Sequence, residues 1–430
     1  MTSAKQTRPA VSLIAAAILG VAISQNAFAE LRTWTSADGR TIEAELVSFD
    51  GKTVNLKGPS GQRYAFDKSK LSQGDLDFLQ DYAPATGSSL TAPKPGKVAS
   101  PAKEAKIDPK TFVKGDKPFE IPQQKFEVLE TPHFKILHSE KAKPAEIAEL
   151  AERLWIDTAF FHPTFAQKFT ERKQAIFLVD EETTYLAIGD WFAGLLNDIG
   201  QGESAEMVKK TWPLSAAGSV SLPASIADGN GVLQSARVFR TYEKSSEEDD
   251  GKGERIKGVW VPFRVHCIAG DLLDEQIANV SRFGSGGLHG LTTGYAYYKE
   301  VFLTGKSETS LLSAESAEDA KSTGGFQGSD SWPEELKKAI RKKEVTPTLE
   351  VILNLTPQNA TPGTNVLAYS FIHFLHSSPE RVAGWPKLIE RISTSSQVPE
   401  VEDMAKLLGF ESAEAMQKQW VEYISSGSFR

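Results

Sequence analysis

A group of side chains capable of chemistry lies between residues 266 and 289. His266 and Cys267 are adjacent, and Asp271 and Asp274 follow roughly one and two helical turns after His266. Two histidines and a carboxylate can bind a transition metal. In this segment the second histidine would have to be His289. The sequence contains no HxxxH or HxH pair, and two separated histidines occur by chance in most large domains. We therefore predict no bound metal and no cofactor, with a replacement site on His266 and His289 as the alternative.

Cys267 is the only cysteine, which excludes an internal disulfide and any CxxC motif. Its thiol could act as a nucleophile with His266 or His289 as the base. A catalytic thiolate needs a lowered pKa and an oriented base. Cys267 lies instead among apolar neighbours, Val265 and Ile268, in the middle of a predicted helix. This pattern is typical of a small buried side chain, so we predict no catalytic role for the thiol.

The elements that would position these residues form a large α+β region that begins near residue 120. Hydrophobic periodicity separates its strands from its helices. The predicted elements are strands over 126–138, 175–179 and 236–242, and helices over 144–169, 263–280, 287–303, 368–375, 385–392 and 414–425. The helices over 263–280 and 287–303 would carry His266 and His289. No repeat period connects the helices, which argues against a solenoid.

This order of elements resembles the peptidase-MA-like family, the gluzincin zinc peptidases. The matching residues in the first half of the region are Thr131-x-His133-Phe134 and Val265-His266. The others are Gly287-Leu288, Tyr295, Ala368-Tyr369-Ser370, Phe374-Leu375, Leu408-Gly409 and Trp420-x-x-Tyr423-Ile424. The resemblance implies an α+β fold with a substrate cleft. In such a peptidase, two histidines at i and i+4 bind zinc, and a glutamate beside the first is the general base.

The residues at the zinc positions depart from this family pattern. His266 is retained, but the general-base position holds Cys267 and the second-ligand position holds Gly270. The downstream motif, where a glutamate would be the third ligand, reads FGSGG and places Gly286 at the ligand position. Glycine has no side chain that could coordinate a metal. The resemblance thus implies a catalytically dead domain that keeps its cleft, including an edge strand within 236–242 for an extended peptide. An active hydrolase, with a rebuilt metal site or a Cys267-based site, is the alternative.

Residues 30–82 form a separate β-rich unit in the sequence pattern. Apolar alternation indicates four short strands between residues 32 and 66, and Asp38-Gly39 and Asp50-Gly51 are hairpin turn signals. A final helix, capped by Ser72, ends near Tyr82. Four short strands with tight turns predict a small barrel.

This unit also resembles the first Sla homology domain, a small SH3-like barrel. The residues that match are Arg32-x-Trp34, Asp38-Gly39, Glu43-Ala44-Glu45, Lys70-Leu71-Ser72 and Asp75. In eukaryotic adaptors this domain binds short sorting peptides, so the resemblance implies peptide or protein binding without catalysis. The candidate peptide-binding residues are the aromatic residues Trp34, Phe49, Tyr64 and Phe66.

The segment over residues 83–119 is rich in Pro, Ala and Lys and has few large apolar residues. Such a composition cannot bury enough surface to order itself, so we predict a flexible linker. The two flanking regions should then fold as separate units, and proteases should cut between residues 85 and 117. The lysines could also contact anionic envelope polymer, which leaves a structural envelope component as a further alternative.

Charge and the N-terminus indicate where the protein acts. The 430-residue chain has 48 Lys and Arg against 56 Asp and Glu, a net charge of −8, which argues against nucleic acid as a partner. Lys5 and Arg8 precede an apolar run over residues 11–24, and Ala27-x-Ala29 matches a signal peptidase site. The run is too short for a typical membrane span. We therefore predict a cleaved signal peptide over residues 1–29 and a periplasmic or extracellular bacterial protein.

The combined prediction is an α+β multidomain chain. Its regions are a signal peptide (1–29), an SH3-like barrel (30–82), a linker (83–119) and a degenerate peptidase-MA-like domain (120–430). The predicted function is adaptor-like, non-catalytic binding of a protein or peptide ligand by the barrel and the dead cleft. No stable membrane insertion is expected after signal cleavage.

We expect the mature protein to begin at Glu30, because the basic head, the apolar run and Ala27-x-Ala29 together specify cleavage after Ala29. N-terminal sequencing or mass spectrometry of the protein from the cell envelope measures this directly. An envelope protein that still starts at Met1 would contradict the prediction.

Overall fold

The molecule has an α+β fold, as the sequence predicted. A small antiparallel sheet precedes a mixed sheet and many helices. A computed structural model describes residues 16–17, 32–49, 53–58, 62–81, 102–103, 105–139, 143–162, 172–242, 261–277, 288–309, 311, 326, 328–395 and 398–429. In these ranges no helix is long and apolar enough to span a membrane.

The N-terminal unit is a four-stranded antiparallel sheet followed by one helix. Its elements are β2 (Arg32–Thr35), β3 (Thr41–Phe49), β4 (Thr53–Lys57), β5 (Arg63–Asp67) and α1 (Gln73–Asp81). The strands pair in chain order, and Gly39 at the first hairpin has φ 84°, a left-handed conformation that favours glycine. Predicted and observed strands agree closely, because alternation and turn residues are local signals.

Asp75 ties the helix of this unit to its first strand. The buried carboxylate pairs with the Arg32 guanidinium at 2.6 Å and accepts the backbone N–H of Thr35 at 2.6 Å. Ser72 donates its hydroxyl to the same carboxylate at 3.1 Å and accepts the backbone N–H of Asp75. Arg32, Ser72 and Asp75, three of the residues that carry the resemblance of this unit, therefore form one hydrogen-bonded group.

The linker predicted over residues 83–119 is too long at its C-terminal end. The carbonyl oxygen of buried Ala102 accepts an N–H of Arg153 at 2.8 Å. Further along, β6 (Val113–Lys114) pairs antiparallel with residues 129 and 130. The chain from residue 105 is therefore held by the large region through backbone partners that composition does not reveal. Residues 83–101 lie outside the described ranges.

In the described part of the chain, the mixed sheet has eight strands. In addition to β6 they are β1 (Ala16–Ala17), β7 (Phe119–Ile121), β8 (Gln124–Glu130), β9 (Phe134–His138), β10 (Lys173–Val179), β11 (Ser215–Ser221) and β12 (Val232–Arg240). The order is β1-β11-β12-β10-β9-β8-β6, with β7 beside β8. Strands β9, β10 and β12 are parallel, and β11 runs antiparallel to β12.

The predicted position of the edge strand is wrong. Strand β12, which contains most of residues 236–242, lies inside the sheet between β10 and β11. The outer neighbour β11 was not predicted at all, since its sequence SAAGSVS has small residues and no apolar alternation. Beyond it lies only β1, which belongs to the predicted signal peptide and pairs with β11 in parallel. Removal of that peptide would leave β11 at the edge.

Helices cover both faces of the mixed sheet. Along β10, Ile176 and Leu178 enter one core, and Ala175 and Phe177 enter the other. The helices are α2 (Pro144–Phe161), α3 (Glu182–Asp198), α4 (Gly202–Thr211), α5 (Ala224–Gly229), α6 (Val261–Gln276), α7 (Leu288–Thr304), α8 (Trp332–Arg341), α9 (Leu349–Leu353), α10 (Pro362–Leu375), α11 (Pro379–Val382), α12 (Trp385–Ser395), α13 (Val401–Leu407) and α14 (Ala413–Ser425). Helix α2 ends eight residues earlier than the predicted 169, at Phe161.

Helix α7 packs very closely against α9 and α10. A Cβ atom at Gly290 would lie 2.1 Å from the carbonyl oxygen of Ile352, and one at Gly294 would lie 2.4 Å from that of Ala368. Because residues four apart share a helix face, the two glycines together form the contact surface. Any larger side chain there would push the helices apart.

Three histidines of the helical region, two buried and His373 half-buried, stay neutral. Desolvation lowers the pKa of His162 to about 3 and that of His373 to about 4. Burial, reinforced by the Lys299 charge, holds the pKa of His376 well below its ordinary value. A histidine in the unfolded chain takes up its proton near pH 6.5, so acid favours unfolding.

We expect the free energy of unfolding to fall between pH 7 and pH 5, because unfolded histidines bind protons there and these three folded ones do not. The loss should be roughly 2 kcal/mol per histidine at pH 5. Urea unfolding at several pH values measures it, and His373→Phe should reduce the pH dependence by about one histidine's share. An equally steep pH dependence in that variant would contradict the assignment.

Candidate functional site

The candidate site is the place where α6 passes α7 and His266 meets a buried acid. The Nδ1 atom of His266 on α6 lies 3.2 Å from Oε2 of Glu300 on α7. The Glu300 side chain is fully buried, whereas that of His266 is 15% exposed. Since a carboxylate only accepts, Nδ1 of His266 is the donor, and in the neutral ring the lone pair lies on Nε2.

Glu300 has further donors around it. Its oxygens accept the hydroxyl of Ser307 at 2.9 Å and the backbone N–H groups of Glu308 and Thr309 at 2.8 and 3.1 Å. The carboxylate therefore fastens the loop that follows α7 and orients His266 at the same time. A carboxylate with four donors has little capacity left for a metal ion.

The other residues that the resemblance places at zinc-site positions lie within helices α6 and α7 or outside the described residues. Cys267 is 6% exposed and belongs to the core, which agrees with the prediction of a small buried side chain. Gly270 is buried on the same helix, and Gly286 lies outside the described residues. His289 lies in the first turn of α7, with Nδ1 3.5 Å from the Thr293 hydroxyl. No contact between His266 and His289 is seen within the described part of the chain.

Asp271 is held by an arginine from the sheet. The Nε atom of Arg237 on β12 donates to one Asp271 oxygen at 2.8 Å, and a second guanidinium nitrogen contacts the other oxygen. Burial disfavours the charged guanidinium, but the attraction of Asp271 outweighs it and raises the pKa of Arg237. This bidentate pair anchors α6 to the sheet. Among the described side chains, no group of three or more His, Cys, Asp or Glu residues is arranged to hold a metal ion.

The Thr131-x-His133 pattern has a partner that sequence reasoning missed, Glu152 on α2. The buried carboxylate accepts the Thr131 hydroxyl at 2.5 Å and contacts His133 Nδ1 at 2.7 Å. Burial opposes ionisation of Glu152, but the hydrogen bonds and the charge of His133 outweigh it and lower the pKa of Glu152. The imidazole also stacks on Trp155 at 3.4 Å between ring centroids. A glutamate on the apolar face of a predicted helix was the available signal.

The aromatic candidates of the N-terminal unit differ in accessibility. Trp34 is 1% exposed, and its indole N–H donates to the Ala44 carbonyl, so it is a core residue and the prediction of a peptide contact is wrong for it. Tyr64 and Phe66 on β5 are partly exposed and stack with ring centroids 6.0 Å apart. The side chain of Phe49 lies outside the described residues.

Comparison of the chain with protein-family models, with curated protein sequences and with solved structures found no match.

We expect Glu300→Gln to lower the free energy of unfolding by about 2–4 kcal/mol, because an amide N–H₂ group would face donors that now meet a buried carboxylate. Urea unfolding measures the loss. The neighbouring Glu308→Gln is the matched control, since its side chain pairs with Lys306 at the surface and such pairs contribute about 1 kcal/mol or less. Equal stability of the two variants would show that the buried hydrogen bonds of Glu300 contribute no more to folding than a surface ion pair does.

Proposed function

We propose that this protein is an exported, non-catalytic binding protein that recognises peptide or protein partners through its N-terminal SH3-like unit. In this proposal the gluzincin-like region is a scaffold that has lost its chemistry. The observation that supports it most is the His266–Glu300 pair, in which the retained histidine and the acid of the neighbouring helix bind each other and the loop after α7.

The loss of catalysis follows from what a zinc peptidase must supply. It needs a metal to polarise the carbonyl and a base to generate hydroxide near neutral pH, and each contributes several kcal/mol to lowering the barrier. The base position here is the buried thiol of Cys267, and Gly270 offers no ligand atom. Asp271, the nearest acid on α6, is paired with Arg237. No remaining arrangement of these residues activates a water.

The binding surface is proposed on β5 of the N-terminal unit. This strand ends the sheet order β2-β3-β4-β5, so one side of its backbone has no strand neighbour in the described sheet. Tyr64 and Phe66 present stacked rings along it, and partly exposed aromatic rings are the side chains that peptide-binding grooves commonly use. Two adjacent rings suit a ligand with apolar residues at alternate positions of an extended peptide.

The test is selection of ligands from a displayed random peptide library by the full mature chain. We expect selected peptides to share an apolar motif, and Tyr64→Ala and Phe66→Ala each to weaken their binding about tenfold or more. Leu214→Ala is the control, because this exposed side chain lies in the large region. Unchanged affinity in both aromatic variants, with folding verified by circular dichroism, would contradict binding at β5.

The same protein preparation decides between binding and catalysis. We expect no hydrolysis of casein or short peptides, with or without added zinc. Zinc-dependent hydrolysis that disappears in His266→Ala would favour the hydrolase alternative and refute the scaffold role.

A further inference from the structure

A buried lysine–aspartate pair joins α2 to α7 in the interior of the helical region. Lys299 on α7 is 1% exposed and Asp157 on α2 is fully buried. The Nζ atom of Lys299 contacts Oδ2 of Asp157, so the amine and the carboxylate meet directly in the interior. Neither residue belongs to the candidate site or to the proposed binding surface.

The surroundings of Lys299 are aromatic and give its ammonium group few acceptors. The Nζ atom lies 4.7 Å from the centroid of the Phe161 ring, 5.1 Å from that of Tyr295 and 5.4 Å from that of Tyr298. Asp157 is the only carboxylate within ion-pair distance of the ammonium among the described residues. Ring faces partly compensate a cation, yet an ammonium carries three N–H donors and loses its hydration entirely here.

A neutral amide would suit this position better than two charges. Desolvation is the largest effect on Lys299 and lowers its pKa, although Asp157 opposes it. A lower pKa makes the uncharged amine easier to form. Burying an ion pair costs several kcal/mol per ion before the mutual attraction is counted. An amide between Lys299 Nζ and Asp157 Cγ would carry no charge and only one N–H donor, and it would join the two side chains covalently.

We propose that Lys299 and Asp157 are joined in the folded protein by an intramolecular amide (isopeptide) bond. The Nζ–Cγ bond forms and the Cγ–Oδ2 bond breaks. Of the three ammonium protons, one stays on the amide nitrogen, and the other two leave with the carboxylate oxygen as one water molecule. The step therefore balances without an oxidant, a cofactor or any second substrate.

His376 is a buried, neutral neighbour of the rings that surround Lys299. Its Nδ1 donates to the carbonyl oxygen of Ile372 at 2.9 Å, which leaves the lone pair on Nε2. That nitrogen is buried and has no hydrogen-bond partner within the described residues. The ring lies 4.4 Å from that of Tyr298, which also borders Lys299. Burial and the nearby Lys299 charge hold the pKa of His376 well below its ordinary value, so the ring stays neutral and adds no second positive charge here.

Such a bond would supply what this chain otherwise lacks. Its single cysteine excludes an internal disulfide, and an exported protein with no cross-link depends on packing alone. The amide would connect residues 157 and 299, and thereby hold α2 against α7 across the interior. Closure of so long a loop restricts the unfolded chain strongly.

The deciding experiment is mass spectrometry of the intact mature protein. We expect a mass about 18 Da below that of the sequence, one water molecule. Trypsin digestion should give one linked species that contains residues 154–168 and residues 283–306, because Lys299 is then no longer a cleavage site. Protein that has been held unfolded in urea and has never folded should have the full mass of the sequence. It should lose one water molecule only after the urea is removed and the chain refolds.

Variants make the assignment specific. Lys299→Arg should retain the full mass, while Lys306→Arg, the matched control at an exposed lysine, should still lose water. Asp157→Asn should form the same amide with loss of ammonia, about 17 Da. If the folded wild-type protein has the full mass of its sequence and its tryptic peptides are unlinked, the proposal is overturned, whether or not the variants fold. Loss of water with the two peptides unlinked overturns it equally.

Discussion

The close approach of α7 to its neighbours is the constraint on which the helical region depends. Gly290 and Gly294 allow the backbones of α9 and α10 to lie against α7 where any Cβ atom would collide with a carbonyl oxygen. Helix α7 also carries Lys299 and Glu300, so its position decides which groups those two side chains meet. A small shift of α7 would separate Lys299 or Glu300 from its partner, and a buried charge without a partner costs several kcal/mol.

Buried carboxylates act as ties in both parts of the protein. Asp75 accepts a backbone N–H of β2, Glu152 accepts one at His133, and Glu300 accepts two in the loop after α7. In each case a charge taken from water is compensated by a cationic or imidazole partner together with backbone donors. In the loop after α7 a buried carboxylate thus holds the backbone in place and orients His266 at the same time.

The sequence by itself determined the elements whose signals are local. The strands β2 to β5 and the helices α10, α12 and α14 were predictable, since periodicity and turn residues act over a few positions. It also determined which atoms are absent where the resemblance would place zinc ligands, because Cys267 and Gly270 cannot become a carboxylate and an imidazole in any fold. Strand β11 and helices α3 to α5 were missed. The small residues of β11 and the six-residue span of α5 carry little periodic signal.

Only the tertiary structure decided which residues meet. Glu300 rather than His289 is the partner of His266, Asp271 is taken by Arg237, and Trp34 enters a core. The same holds for the place of β12 inside the sheet and for the ordered chain after residue 105. Each of these depends on contacts between distant parts of the chain, whose energies come from burial and hydrogen bonding after the elements have packed. Periodicity specifies which face of an element is buried, but not what lies opposite it.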